Sequence, residues 1–318
     1  MVFKPSYLKL VETGEIDERI NKLYKILEKC ELCPRKCHAN RLKDQKGICQ
    51  SGKNIIVSDF RPHFGEEAVL VGNNGSGTIF LSNCSLRCIY CQNYEISHLG
   101  EGNEYSEEEV ADMMIHLQRR GCHNINLVTP THYASQLVKS IRIAAKKGLH
   151  LPIVWNCGGY ENFEVVKLLE GIVDIYMPDI KYGDNEGAKK YSNPPASDYW
   201  DRCREAIREM HSQVGDLKVD EKGLAERGLL IRHLVLPEDI AKTENVLNFI
   251  AKEVSTNSYV NVMSQYYRAG EVILHPERYP ELERSINSKK YKKAIKLALK
   301  LKLTRGLEKK QLRRIRFF

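Results

Sequence analysis

Three thiols stand within eight residues in Cys84-Ser85-Leu86-Arg87-Cys88-Ile89-Tyr90-Cys91, at C-x3-C-x2-C spacing with an aromatic residue before the last. Thiolates are ligands for iron–sulfur clusters and for zinc. Three of them can hold three irons of a cubane and leave the fourth iron free for a small molecule. Structural zinc, by contrast, closes its site with four protein ligands. The nearest candidate for a fourth is His98, separated from Cys91 by six residues, which is not a usual zinc interval. The spacing therefore points to a reactive cluster site.

A second group is Cys30-Glu31-Leu32-Cys33-Pro34-Arg35-Lys36-Cys37, completed by Cys49. Its C-x2-C-x3-C-x11-C spacing matches neither a common zinc finger nor the ferredoxin run. Two readings stay open: a closed zinc that clips a segment with few apolar residues, or an auxiliary iron–sulfur cluster that passes electrons or anchors substrate. Cys122 and Cys203 read as small core residues.

Cys84, Cys88 and Cys91 also match the C-x3-C-x-aromatic-C signature of the radical S-adenosylmethionine (SAM) superfamily. Residues 75–97 resemble the PflX-type branch, relatives of the pyruvate formate-lyase activating enzyme. The likeness reappears at Val128-Thr-Pro-Thr-His132, Trp155-Asn-Cys-Gly-Gly-Tyr160, residues 174–182 and residues 231–237, and so covers about residues 30–270. The resemblance implies an oxidoreductase with a [4Fe-4S] cluster, with SAM bound at its open iron. Reductive cleavage of SAM would give a 5′-deoxyadenosyl radical that takes hydrogen from a substrate. It also implies a one-electron donor such as a ferredoxin or flavodoxin. A macromolecular substrate is expected, first the backbone glycine of a glycyl-radical enzyme. The second reading is an RNA or a protein side chain. A reading of another class is a non-catalytic iron–sulfur carrier, which would have no need of polar groups at strand ends.

The positioning elements follow from periodicity. Apolar, β-rich runs occur at 77–83, 124–129, 151–156, 173–180, 229–235 and 259–265. Helix-like stretches lie between them near 107–120, 134–147, 162–170, 198–213 and 242–254, and a short amphipathic helix over 17–29 leads into Cys30. Ser106 and Glu109 form a capping box, and Gly121 and Gly148 stand where helices end. Alternating strands and helices give a parallel α/β sheet, either an open doubly wound sheet or a barrel. The resemblance selects a partial (β/α)6 barrel with its cluster in the loop after the first strand. Residues 1–70 then form an N-terminal helix and Cys-rich metal-binding extension, 71–270 the barrel and 271–318 a basic helical tail. Residues 214–228 are expected to be a surface excursion, and the glycines from Gly72 to Gly77 a turn rather than a phosphate loop.

In such architectures ligands gather at the carboxyl ends of the strands. Tyr90 and Asn93 in the cluster loop are carried over from the resemblance as cofactor contacts. Where the superfamily often has Gly-Gly-Glu for the methionyl amino group, Thr129 and Thr131 would supply hydroxyls or carbonyls. Asp179 and Lys181 resemble the Asp-x-Lys pair of the activating enzymes, with the cation suited to a carboxylate and the acid to a ribose hydroxyl or an ammonium group. Asn156 is expected to reach the ribose, and Cys157 to give a hydrogen atom to a substrate radical. Arg232 and His233 face opposite sides of any strand, and Arg232 is assigned to the cofactor.

The chain has 318 residues, enough for one large domain or a domain with an extension. No run approaches a membrane span, the polar start is no signal peptide, and clustered thiols in an unsecreted chain indicate a reduced, cytoplasmic protein. The net charge is +8, but residues 288–318 hold thirteen Lys or Arg against the single acid Glu308. The rest of the chain is mildly acidic, so any attraction to phosphates belongs to the tail.

Overall fold

A computed structural model describes residues 3–307. Its strands are β1 (Ile55–His63), β2 (Ser76–Leu81), β3 (Asn103–Tyr105), β4 (Ile125–Val128), β5 (Ile153–Cys157), β6 (Ile175–Pro178), β7 (Lys218–Val219), β8 (Ala225–Leu234) and β9 (Tyr259–Met263). Six of them, β2, β4, β5, β6, β8 and β9, pair in parallel in sequence order. β1 lies antiparallel beside β2 with β3 outside it, and β7 makes a short antiparallel pair with the start of β8. Among the described strands no pairing returns β9 to β1 or β3, so hydrogen bonds do not close the sheet.

The central strands are buried on both faces, as parallel strands between layers must be. Leu127, Trp155, Tyr176, Leu229 and Ile231 share one face, in the main core. Against that face pack the helices Glu107–Arg119, Ala134–Lys146, Phe163–Leu168 and Tyr199–Val214. Ser106 starts the first of these: its backbone N–H donates to Glu109 at 2.8 Å and its hydroxyl accepts from the Glu109 N–H at 3.2 Å. Such a cap is worth about 1 kcal/mol.

The opposite face holds a second core of Val154, Ile175, Met177 and Leu230. Leu70 completes it, from a four-residue helix (Ala68–Val71) in the β1–β2 connection. The Asn124 amide holds this connection in place by donating to the Leu70 carbonyl at 2.8 Å. The connection is therefore an apolar floor beneath the carboxyl ends of the strands. Burying Leu70 alone contributes roughly 2 kcal/mol.

Every anticipated strand and helix is present, to within a few residues at the ends. The helix Glu15–Ile26 continues through one tighter turn to Lys29 and delivers the chain to Cys30. Residues 72–75 are a turn. Residues 214–228 form the expected surface excursion, ordered as the β7–β8 hairpin, whose exposed tip is held by Asp220 accepting from the Lys222 and Leu224 N–H groups at 2.8 Å. The polar composition there is that of a hairpin tip.

In the tail, the helix Ser288–Lys300 buries Ala294, Ile295 and Ala298. Beyond it the Arg305 carbonyl accepts from Val260 N–H at 3.0 Å, which fastens the segment to β9. Lys289, Lys290, Lys293, Lys296 and Lys300 are exposed. Phe317 and Phe318 lie outside the described residues. No described helix is long and apolar enough to cross a membrane.

Candidate functional site

A cavity of about 600 Å³ opens at the carboxyl ends of the parallel strands. Cys84, Cys88 and Cys91 line it from the loop after β2, joined there by Tyr90 and Asn93. Two residues on either side of the first thiol, Asn83 (φ 72°) and Arg87 (φ 54°), take left-handed backbone conformations that non-glycine residues seldom adopt. The loop is held by Ile89 N–H donating to the Tyr191 carbonyl at 3.0 Å and by Ser97 donating to the Cys91 sulfur at 3.1 Å. Tyr90 is buried edge-to-face against Tyr182 and Tyr266, with ring centres 6.3 and 6.2 Å away.

Burial drives the Cys88 thiol up to about 12, against the pull of Lys181, and raises Cys84 as well. Thiols kept protonated by burial are ones a metal would deprotonate on binding, so the metal's affinity and the pH are linked. One cation in the cavity suits an anionic group here. Lys181 acts electrostatically on both Cys84 and Cys88, and half-buried Arg87 lies between them in the loop with one buried Nη that has no hydrogen-bond partner. Among the described residues no three His, Cys, Asp or Glu side chains converge on a point where one metal ion would sit. A cubane spreads its ligands around a cage and needs no such convergence. The residues present fit a cluster.

Across the cavity stands a network of charges. Arg232 donates to Asp179 at 2.7 Å, to Asn156 at 2.7 Å and to Glu66 at 3.1 Å, while Lys181 donates to Asp179 at 2.9 Å. Burial works against the Asp179 charge, but Arg232 and Lys181 outweigh it and hold the carboxyl at about 2. Burial pushes Glu66 up to about 7 in spite of Arg232. His233 points the other way, towards the Ile180 carbonyl at 2.6 Å and Thr243 at 2.9 Å, so Arg232 is the inward member of that pair. Gly159 (φ 76°) allows the β5 loop to approach: a Cβ there would lie 2.5 Å from the Asp179 carbonyl.

Asn156 and Thr129, the latter at φ 61°, line the cavity as expected of their strand ends. Thr131 does not. It is buried one turn further on, donating to Glu161 at 2.6 Å. The left-handed turn at Thr129 sends the chain back into the core, where His132 meets the Ser82 carbonyl at 2.9 Å. Cys157 borders the cavity, but strand alternation puts its side chain on the face of Trp155 rather than that of Asn156. There its thiol lies beside Glu161, whose carboxyl burial raises to about 7.

Sequence reading missed Glu66 and a set on β1: Asp59, Arg61 and His63 also line the cavity. Their i, i+2, i+4 spacing is a polar strand face, a signal present in the sequence.

Cys30, Cys33 and Cys49 are buried and Cys37 is half-buried. Burial raises Cys33, and Cys49, Cys30 and Cys37 are all near enough to add to the effect. Within the same segment Arg41 is fully buried, donating to the Gly52 carbonyl at 2.8 and 3.0 Å and to that of His132.

Comparison with known proteins adds the following. A family model described as the Radical SAM superfamily matches residues 78–219. An uncharacterized protein of Methanocaldococcus jannaschii, MJ0674, is 31% identical over 309 residues, 93% of this chain and 82% of that protein. The pyruvate formate-lyase-activating enzyme of Clostridium pasteurianum is 27% identical over 135 residues, 41% of this chain and 56% of its own. Among solved structures, methylornithine synthase aligns over 68% of this chain and 59% of its own, with a TM-score of 0.45 and 19% identity.

Proposed function

This chain belongs to the radical SAM superfamily, whose members cleave SAM at an iron–sulfur cluster, and from that premise we propose that it abstracts hydrogen from a macromolecular substrate. The observation that carries the assignment of residues is the pairing of three thiols with the Lys181–Asp179–Arg232–Asn156 network across one cavity. When bound, the cluster supplies one electron to SAM and SAM supplies the radical; the protein provides orientation and shelter. Cys84, Cys88 and Cys91 are the cluster ligands. Lys181 takes the methionyl carboxylate, Asp179 and Asn156 the ribose hydroxyls, and the backbone at Thr129 the amino group. Arg232 fixes Asp179 and Asn156 in place. Tyr90 screens the thiols from water.

The substrate class rests on less: the partial likeness to an activating enzyme supports a glycyl-radical partner protein. The exposed lysines on the helix Ser288–Lys300 support a second reading, an RNA substrate. We further assign a second metal, zinc or iron–sulfur, to Cys30, Cys33, Cys37 and Cys49. A buried arginine is costly without a nearby anion, and thiolates held by a metal would provide one for Arg41. In this scheme residues 1–70 are the metal-binding extension, 71–270 the catalytic unit and 271–318 the tail, and a ferredoxin or flavodoxin is the electron source.

The test uses anaerobically reconstituted protein with SAM and dithionite. 5′-Deoxyadenosine and methionine are followed by mass spectrometry, and iron and zinc are quantified on the same sample. Equal amounts of both products establish cleavage. An intact cluster that leaves SAM whole, even with candidate substrates present, would favour the carrier reading.

A further inference from the structure

Arg35 lies between Cys33 and Cys37 in the N-terminal cysteine segment, yet its hydrogen bonds leave that segment entirely. Its Nε donates to the carbonyl of Ser85 at 2.9 Å, and Nη2 to the carbonyls of Leu86 at 3.1 Å and Pro194 at 2.7 Å, while Nη1 reaches the Pro195 carbonyl. The guanidinium is steadied by the face of Tyr160, 5.4 Å from the ring centre. Ser85 and Leu86 are the two residues that follow Cys84. The loop carrying Pro194 is itself joined to the cysteine loop, through Asn193 N–H donating to the Arg87 carbonyl at 3.0 Å. One side chain thus satisfies four carbonyls from two loops that would otherwise be held by few backbone bonds. Arginine suits this because its planar fork fixes several donors at once, which a lysine ammonium cannot reproduce.

We propose that Arg35 is a positioning residue that sets the spacing of Cys84 and Cys88, making the N-terminal cysteine segment a brace for the cluster loop. The brace does not touch SAM or the reacting atoms. Its effect passes through the backbone at Ser85 and Leu86, and so bears on how the three thiols fit one cluster. The inference rests on the reading of Cys84, Cys88 and Cys91 as cluster ligands, but the brace itself is a property of the chain and can be tested without a cluster.

The experiment compares the unsubstituted chain with Arg35→Ala and Arg35→Lys at full length. In the protein as purified, hydrogen exchange over residues 84–92 should quicken about tenfold in Arg35→Ala, the loss expected for charge-assisted hydrogen bonds. Arg35→Lys should fall between the two. After anaerobic reconstitution, Arg35→Ala should hold less iron, and the electron paramagnetic resonance spectrum of its reduced cluster should shift or split, with partial rescue in Arg35→Lys. If Arg35→Ala does not fold, Arg35→Lys decides by the same two readouts. Unchanged exchange together with an unchanged spectrum would overturn the proposal. A failure of the unsubstituted chain to hold a cluster would sink the cluster reading while the exchange result still judged the brace.

Discussion

Arg232 serves three acceptors at once, Asp179, Asn156 and Glu66, and all three lie in or beside the cavity. Removing such a residue leaves two carboxyls facing one another in a poorly hydrated space. Arg232→Met should therefore destabilise the fold by about 3 kcal/mol and raise the pKa of Asp179, measurable by denaturant unfolding and by titration. Lys181→Met leaves the Arg232–Asp179 pair intact and removes the cation that acts on Cys84 and Cys88. It should raise the KM for SAM about tenfold with a smaller change in kcat, since it removes binding rather than reactivity. Changing any one of Cys84, Cys88 or Cys91 to Ala should abolish SAM cleavage; an iron assay and product analysis on the same samples would check both halves of that statement. Glu161 gives a separate, pH-dependent test. Its buried carboxyl titrates at about 7 against an ordinary 4.5. The folded chain therefore binds a proton that the unfolded chain releases between those values, and stability falls as the pH rises through that window. Glu161→Gln should flatten this slope, recovering on the order of 3 kcal/mol at pH 8 relative to pH 5, as read by urea unfolding at each pH.

At the scale of elements, the six parallel strands were legible because burial on both faces leaves each one an unbroken apolar run. β1 was missed because its signal is a polar alternation rather than an apolar run. Ser58, Asp59, Arg61 and His63 turn to the cavity, and the polar residues that make it useful remove the apolar signature of a strand. Two candidate positions are turned away from the cavity where parity or a turn intervenes. Cys157 follows Asn156 by one residue and so faces the other side of β5, while Thr131 lies past the left-handed Thr129, which redirects the chain inward. Asp179, Lys181 and Arg232 were legible because strand ends fix their place irrespective of loop shape. The capping box offers a test at this scale: Ser106→Ala should cost about 1 kcal/mol by thermal or chemical unfolding and leave the cavity unaffected.

For the whole molecule, the tail is both a docked element and a charged surface. A truncation at residue 288 would remove the buried Ala294, Ile295 and Ala298 and the Arg305 carbonyl bonded to β9 along with the lysines, and would report on stability rather than on charge. Changing Lys289, Lys293, Lys296 and Lys300 to Gln separates the two. If the tail engages RNA, retention on an RNA matrix should weaken and its salt dependence should become shallower, with the melting temperature unchanged. The floor formed by the β1–β2 connection has a further consequence for traffic. With that end filled by Leu70, the cavity opens at the carboxyl ends of the strands, where the thiols lie. If the substrate is a macromolecule that seats over that opening, the small reagent should be loaded before it and the fragments released after it departs. Steady-state kinetics should then follow a compulsory order, with excess macromolecule acting as an inhibitor that more SAM relieves.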